Sequence, residues 1–549
     1  MFSEDAIIKQ SLNLPKLAEH EPSVERVEWT TLGDSNRGSY ATSVVDFNLP
    51  SASTSSAFMD LARSYVTLPM VHVINGSTDL GAKTRMLAPV SANQLISSFR
   101  LSIDNNTVVS DDGGNRGCMT MSDFHILTQC TPDDVAELNA MNWFKDTPGA
   151  TNYVAGIGCI DSNVVSALET PALTAEQNKV NFGQRARLDK AAFDPAGTNS
   201  ETAKWTDSGK TIIDGRSHVV EIDAQTMVYH QNAILPLRFL HEVFRKIGLN
   251  KGLNIKLSLS INTSVNSFLA VQATDTVTTL TASSRFGTSP VLASYPEQSW
   301  QIGAANSTVT VTSSIYAATV SGVTYTNAFG RPAEIHLKYV HMRPEAERAY
   351  LNKVPSQIVQ WNEVLHHQIK SVVPASTTVA RICTSIPKCR YLVVKPVMAA
   401  STHGATNPFS TSGGVVSVYD SVFASNMLTA PHCALSDIRI KINNQNLFPE
   451  PLSYSYENFI QNMRRFAPEG NYNSEFGRFG MISYDDWMSG MRYYVFDLTQ
   501  AYEDEAQDSI AKDVIFQFVN NSRAYLDVDC YLMHEQQRMI DTATGAVTV

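Results

Sequence analysis

The 549-residue sequence predicts a mainly β protein: two tandem β domains, each interrupted by short helices. Two observations carry this. Apolar and polar residues alternate at period two in segment after segment, the mark of half-buried strands, while runs of helical spacing are few and short. The strand series also stops in a Thr- and Ser-rich middle and restarts near Ala333, and 549 residues suit two β domains of about 200–250 residues each.

Residues 1–50 read as an arm. Asp5 to Leu12 suits a short amphipathic helix ended before Pro15. Residues 1–35 carry seven acidic and three basic side chains, a net of −4, so this is not a basic arm that enters a genome. Strands begin near Arg63, where β-branched and aromatic residues dominate as far as Ile74 and Asn75-Gly76 supplies a turn. From Leu95 to Ile103, Phe99, Leu101 and Ile103 alternate with Arg100, Ser102 and Asp104, and the strand ends at a left-handed turn on Asn105-Asn106. Residues 119–143 change to helical spacing, with a second helix start at Thr131-Pro132-Asp133-Asp134. Alternation returns at 218–228. A helix is expected from Leu235 to Ile247, closed by Gly248, and then a strand from Leu253 to Ile261.

Residues 272–330 are dominated by Thr, Ser, Ala, Val and Gly and read as exposed hairpins and loops joining two halves. The second strand series starts with Ile335, Leu337 and Tyr339 on one face. It continues through Leu365–Val373, Val379–Thr384, Tyr391–Met398, Leu435–Ile442, Arg492–Phe496, Val514–Phe518 and Leu526–Met533, with one helix over 454–466. An internal echo links the halves. Leu101-Ser-Ile-Asp-Asn-Asn-Thr-Val-Val resembles Ile440-Lys-Ile-Asn-Asn-Gln-Asn-Leu-Phe: a strand, an Asn-rich turn and an apolar return.

Composition narrows the function. Hydrophobic residues make up 43%, enough for sizeable cores. Charged residues are only 17%, below the roughly 25% usual for soluble domains. Surfaces must then be rich in small polar residues or covered by partners. A net charge of −11 argues against a chain that coats nucleic acid. No stretch of 18 apolar residues is present, and the start Met-Phe-Ser-Glu-Asp lacks the pattern of a secretory signal. The seven cysteines (118, 130, 159, 383, 389, 433 and 530) are odd in number and scattered, so free thiols from a reducing compartment are expected.

No catalytic, cofactor or metal motif stands out, and none is assigned. His-Glu-X-X-His, a phosphate-cradling Gly-rich loop and Gly-X-Ser-X-Gly are all missing from the sequence. Cys383 and Cys389 have the wrong spacing for a zinc knuckle. His366 and His367 point to opposite faces if they lie on a strand. Asp527 and Asp529 share one strand face, read as the solvent face opposite Leu526, Val528 and Cys530. Glu503-Asp504-Glu505 with Asp508 reads as a solvated loop, and Arg464-Arg465 is too small a patch for nucleic acid. Trp143, Trp205, Trp300, Trp361 and Trp487 read as packing residues.

In order, these segments resemble the major capsid protein of double jelly-roll viruses, the lineage with adenovirus-, virophage- and polinton-like members. Phe58-Met59-Asp60-Leu61 with Ser64-Tyr65-Val66 is similar to the family's opening strand, and Pro89 to Phe99 with Leu101 to Val109 to its first hairpin. Met121 to Asp146 resembles its helical excursion, and Ile234-Leu-Pro-Leu with Leu253 to Ile261 the end of its first roll. In the second half Ile386-Pro387-Lys388, Asn407-Pro408-Phe409 and Ile440 to Pro451 match family motifs, with Asn106 where the family has Gly and the second Phe after Asn407 missing.

The resemblance implies two eight-stranded antiparallel jelly rolls: an arm over 1–50, the first roll over 51–285, connecting loops over 286–330 and the second roll over 331–549. It implies a non-enzymatic homotrimer, a pseudo-hexagonal capsomer that tiles an icosahedral shell of a DNA virus. Neighbouring capsomers, a penton protein, minor capsid proteins and an internal membrane reached by the arm are the implied partners, without sequence-specific nucleic-acid binding. The implied location is the virion, with synthesis in the host cytoplasm. Two alternatives stand beside it: a viral fibre or receptor-binding protein, and a β-sandwich glycoside hydrolase using a carboxylate pair such as Asp527 and Asp529.

Overall fold

The computed structural model describes residues 23–36, 40, 44–49, 57–76, 85–87, 92–110, 117–131, 134, 138, 141, 143, 186–189, 205–207, 210–215, 218–222, 225–261, 266–270, 279–280, 292–294, 307–398, 434–466, 478–489, 491–501, 509–522 and 525–548. The helical spacing at Asp5–Leu12 and the Asn407-Pro408-Phe409 motif lie outside them.

Among the described strands, eight form the frame of the first half, and others extend one of its sheets: β1 (Val24–Gly33), β2 (Val44–Leu49), β3 (Ala57–Gly76), β4 (Ile96–Ile103), β5 (Asn106–Ser110), β6 (Thr226–Pro236), β7 (Ile255–Ile261) and β8 (Glu334–Met342). They pair in the orders β1-β8-β3-β6 and β2-β7-β4-β5, all antiparallel. The second half repeats this with β9 (Ser356–Val372), β10 (Thr377–Ile386), β11 (Cys389–Met398), β12 (Leu435–Ile442), β13 (Gln445–Asn446), β14 (Tyr494–Asp497), β15 (Lys512–Asn520) and β16 (Leu526–Asp541). Its orders are β9-β16-β11-β14 and β10-β15-β12-β13. Adding eight to each label of the first half reproduces the second. Two facing four-stranded sheets wound in this order are a jelly roll, so the chain is two tandem jelly rolls.

Alternation makes each sheet two-faced. In β7, Ile255, Leu257, Leu259 and Ile261 are buried while Lys256 is exposed. In β15, Val514, Phe516 and Phe518 do the same for the second roll. The sequence echo is the hairpin between the fourth and fifth strands of each roll. Asp104 and Asn105 turn with φ of 49° and 61°, and Asn443 and Asn444 with 49° and 68°. Positive φ at both central residues of a two-residue loop matches the twist of the flanking strands, and Asn and Asp tolerate it. The first turn thus sits one residue earlier than Asn105-Asn106.

Three expected boundaries move. β1 and β2 lie within the stretch read as an arm, so residues 24–49 are part of the first roll. Ser307–Ile315, inside the stretch read as connecting loops, is a strand that pairs with the far half of β3. β8, read as the start of the second roll, pairs with both β1 and β3 and closes the first. The last strand of a jelly roll inserts between two earlier ones, and alternation records that a segment is a strand without recording which sheet it joins.

Helices sit between strands. Among the described residues the α-helices are α1 (Gly117–Gln129), the single turns α2 (Leu237–Leu240) and α3 (Val243–Lys246), α4 (Pro344–Lys353), α5 (Tyr456–Phe466) and α6 (Tyr484–Ser489). The helix expected over 235–247 is broken in two. Leu235 and Pro236 still belong to β6, and His241 is extended (φ −158°, ψ 149°) with its buried Nδ1 accepting the Val243 N–H at 3.1 Å. α4 links the rolls, with Pro344 in its first turn and Glu345 and Glu347 at its positive end. Tyr350 packs edge-on against Phe58 at 5.4 Å and donates to Leu249 O at 3.1 Å.

Two apolar cores result, one per roll. Each borrows from the other. Val359, Trp361 and Ile540 of the second roll join the first core, and Met121, Phe124 and Leu127 of α1 join the second.

Candidate functional site

The residues singled out for chemistry are structural where they are described. Asp527 Oδ1 accepts the Ser371 N–H at 2.7 Å, where a bulge in β9 puts Ser371 at φ 55°. Asp529 is not on a solvent face: it is fully buried, with Oδ1 3.0 Å from His366 Nε2. The His366 ring stacks on Tyr531 at 4.9 Å. The two carboxylates are therefore committed to separate tasks, which weighs against a glycosidase pair. Arg465 reaches Asp497 at 3.1 Å, within its own roll. Trp143, Trp361 and Trp487 are buried. Cys159, Cys433, Trp300 and the acidic run 503–508 lie outside the described residues. Among the described residues no group of three or more His, Cys, Asp and Glu is placed to hold a metal, and no helix is long and apolar enough to cross a membrane.

Cys130, Cys383, Cys389 and Cys530 are not joined in disulfides. Burial pushes the Cys530 thiol well up, and the neighbouring Asp529 adds to this. A thiol nucleophile must ionise and be reached. Alkylation of the native protein is therefore expected to spare Cys530 and Cys389 and to label both after unfolding. Mass spectrometry of unreduced protein reads the result, and disulfide-linked peptides containing these residues would overturn it.

The fold presents sheet faces. Each roll has one sheet (β1-β8-β3-β6 or β9-β16-β11-β14) whose inner face lines a core. In β16 the inward row Leu526, Val528, Cys530 and Leu532 is buried, and so is the outward row Asp529, Tyr531 and Met533. α3 packs against the neighbouring strand β9. α1 lies along β9. Asn362 of β9 donates from both N and Nδ2 to Glu242 Oε2, at 3.1 and 3.3 Å. Phe124 meets Tyr493 at 4.7 Å, and His125 stacks on Phe466 at 5.3 Å. Met481 N–H closes the contact on Leu127 O at 2.7 Å.

On the equivalent outward face of the first roll, Val27 and Trp29 are exposed. Leu32 packs on the first core, so Val27, Trp29 and Thr31, of opposite parity, face away from it. Val27 is 40% exposed and Trp29 50%. Trp29 meets Tyr65 of β3 at 5.6 Å, and Tyr65 stacks on His336 of β8 at 4.6 Å. His336 is pinned by Thr31 Oγ1 at 2.9 Å and Thr67 Oγ1 at 3.3 Å. Burial holds its pKa down, against the pull of Glu334. Further along the strands Phe58, Val340 and Met342 are covered by Ala346 and Tyr350 of α4. Sequence reasoning missed Trp29 because residues 1–50 read as an arm. The signal was there: Val24 to Leu32 is rich in β-branched and aromatic residues.

No protein-family profile and no curated protein matches the sequence. Solved structures do. A chain in the cryo-EM structure of the Sputnik virophage is similar at 11% identity and a TM-score of 0.47, over 98% of this chain and 91% of that one. The mavirus major capsid protein is similar at 10% and 0.46, over 98% and 93%. The Faustovirus major capsid protein is similar at 10% and 0.42, over 95% and 92%.

Proposed function

We propose that the chain is the major capsid protein of an icosahedral double jelly-roll virus, a structural tile that catalyses nothing. The observation that carries this is internal repetition: two rolls of identical strand order lie side by side in one chain, the insert of the first seated on the outer sheet of the second. Three such chains supply six rolls, enough to close a near-hexagonal ring. The low charge fits surfaces destined for interfaces, where charged side chains are depleted at the core. Neighbouring capsomers, a penton protein, minor capsid proteins and, through residues 1–22, an internal membrane are the partners this role entails. Its location would be the virion, with synthesis in the host cytoplasm.

Native mass spectrometry of the purified protein should show about three times 60.3 kDa, and electron micrographs should show hexagonal outlines. Obligate interfaces commonly bury more than about 2,000 Å², so little monomer is expected on dilution. A well-behaved monomer at micromolar concentration overturns the proposal.

A further inference from the structure

We propose that Cys383 and Cys389 form an oxidation site, where a peroxide joins their sulfurs in a disulfide that ties the two facing sheets of the second roll together. The site goes beyond the capsid reading and does not depend on it. Cys383 lies near the end of β10 and Cys389 opens β11, and these strands belong to opposite sheets. The corner between them is tight, with Ser385 and Lys388 both at positive φ, 59° and 50°. Two irregularities aim the first thiol. The pairing of β10 with β15 slips between Arg381 and Cys383 and again between Cys383 and Ile386. A bulge redirects the side chain it carries, and Ile382 and Cys383 are consecutive yet both buried. Ion pairs and a backbone contact hold the corner. Glu535 of β16 binds Lys388 Nζ at 3.1 Å and Arg390 Nη2 at 2.7 Å, the residues on either side of Cys389. Asp513 of β15 accepts the Ser385 N–H at 3.1 Å.

Both sulfurs converge on one rung of the ladder, where Ile386 lies opposite Lys512. Cys383 Sγ is 3.8 Å from Lys512 O, and Cys389 Sγ is 3.4 Å from Ile386 O. The two thiols also hydrogen-bond to each other, and this bond holds the Cys383 thiol below the ordinary range, against the effect of burial. Cys383 is 8% exposed and Cys389 fully buried, so Cys383 is the sulfur that a small oxidant reaches. Its thiolate attacks one oxygen of hydrogen peroxide. The O–O bond breaks, hydroxide leaves, and Cys383 becomes a sulfenic acid. The Cys389 sulfur then attacks the Cys383 sulfur, the S–O bond breaks, and water leaves. Over both steps the pair of thiols gives up a pair of protons and a pair of electrons, and the peroxide is reduced to water. Protein that has met no oxidant keeps both thiols, as expected of a chain made in a reducing compartment.

The test exposes the folded, reduced full chain to a small excess of hydrogen peroxide, alkylates it in urea and digests it with trypsin without reduction. Trypsin cuts after Lys388, between the two cysteines. The bridge should therefore appear in mass spectra as two joined peptides, lighter than their sum by about 2 Da, that dithiothreitol separates. Oxidised wild type should have a higher urea midpoint than reduced wild type, because the closed loop restricts the unfolded chain. Cys383→Ser replaces the less buried of the pair. It should fold, show no bridge at Cys389 and lose the difference between the two midpoints. In Cys389→Ser, Cys383 should accumulate as sulfinic acid, since no partner thiol intercepts the sulfenic acid. Alkylation of both cysteines after peroxide, sulfinic acid at Cys383 in the wild type, or a bridge from either to another cysteine overturns the assignment. None of these readouts depends on trimer formation, so the site and the capsid reading stand or fall separately.

Discussion

Between pH 7 and pH 5 the protein is expected to lose on the order of 4 kcal/mol of folding stability through two buried histidines. His72 and His241 are almost fully buried, and burial pushes each from 6.5 to about 3. The His72 ring stacks on Tyr229 and reaches Gln231 Oε1 at 3.3 Å, with His230 nearby pushing the same way as burial. His241 lies against Phe99 and feels the Arg245 guanidinium. The sign follows: above pH 6.5 both are neutral folded and unfolded, and their protonation costs nothing. As pH falls from 6.5 toward 3 the unfolded chain binds protons that the folded chain refuses, and stability declines by about 1.4 kcal/mol per pH unit for each residue. At pH 5 that is about 2 kcal/mol apiece. His125, stacked on Phe466, is pushed down in the same direction, but it keeps some exposure and adds less.

The measurement is the urea midpoint at fixed protein concentration across this range. His241→Asn keeps an acceptor for the Val243 N–H and cannot titrate, so its curve should be flatter by roughly the share of one histidine. Parallel curves for wild type and this variant would show that His241 is not held neutral. His125 lies where α1 meets the second roll, so acid should loosen that contact early.

The pH response shows what sequence could and could not reveal. The strands themselves were legible, because alternation such as Ile255–Ile261 reports a two-faced environment directly. So was the pairing of the halves, since Asp104-Asn105 and Asn443-Asn444 need residues that tolerate positive φ at equivalent turns. Assignment to sheets was not. β8 reads as a strand from either side of the boundary, and only its partners β1 and β3 put it in the first roll. The same blindness hid the burial of Asp529. Its row of β16 alternates as a solvent face would, but α1–α3, contributed from more than two hundred residues away, cover that sheet. His241 was lost inside an expected helix for a related reason: a buried side chain capping its own backbone overrides helical spacing. Trp29 needed only the recognition that Val24 to Leu32, with Val, Trp and Thr at alternating positions, is a strand.

Replacing Gly480 by Ala is expected to separate the first roll's insert from the second roll. Gly480 sits at φ +57° in the turn between Phe479 and Ile482, a conformation that costs an Ala about 1 kcal/mol. The approach is also closed. A Cβ there would lie 2.5 Å from Leu127 O and 2.5 Å from Thr128 O, and both are backbone atoms at the end of α1 that cannot swing aside. The turn must retreat, and the Met481–Leu127 hydrogen bond at 2.7 Å goes with it. Phe124 then loses its fit against Tyr493 and Phe466. The total should reach about 3 kcal/mol or more, in the range of a core truncation. Gly322→Ala supplies the control: its φ is +80°, but nothing lies within 4 Å of the added methyl, so only the backbone strain remains. The gap between the two variants in urea or thermal midpoint isolates the contact between rolls. It should be accompanied by faster proteolysis within 111–131 for Gly480→Ala alone. Equal losses in both variants would mean that the turn and α1 are free to part, and that the insert does not hold the rolls together.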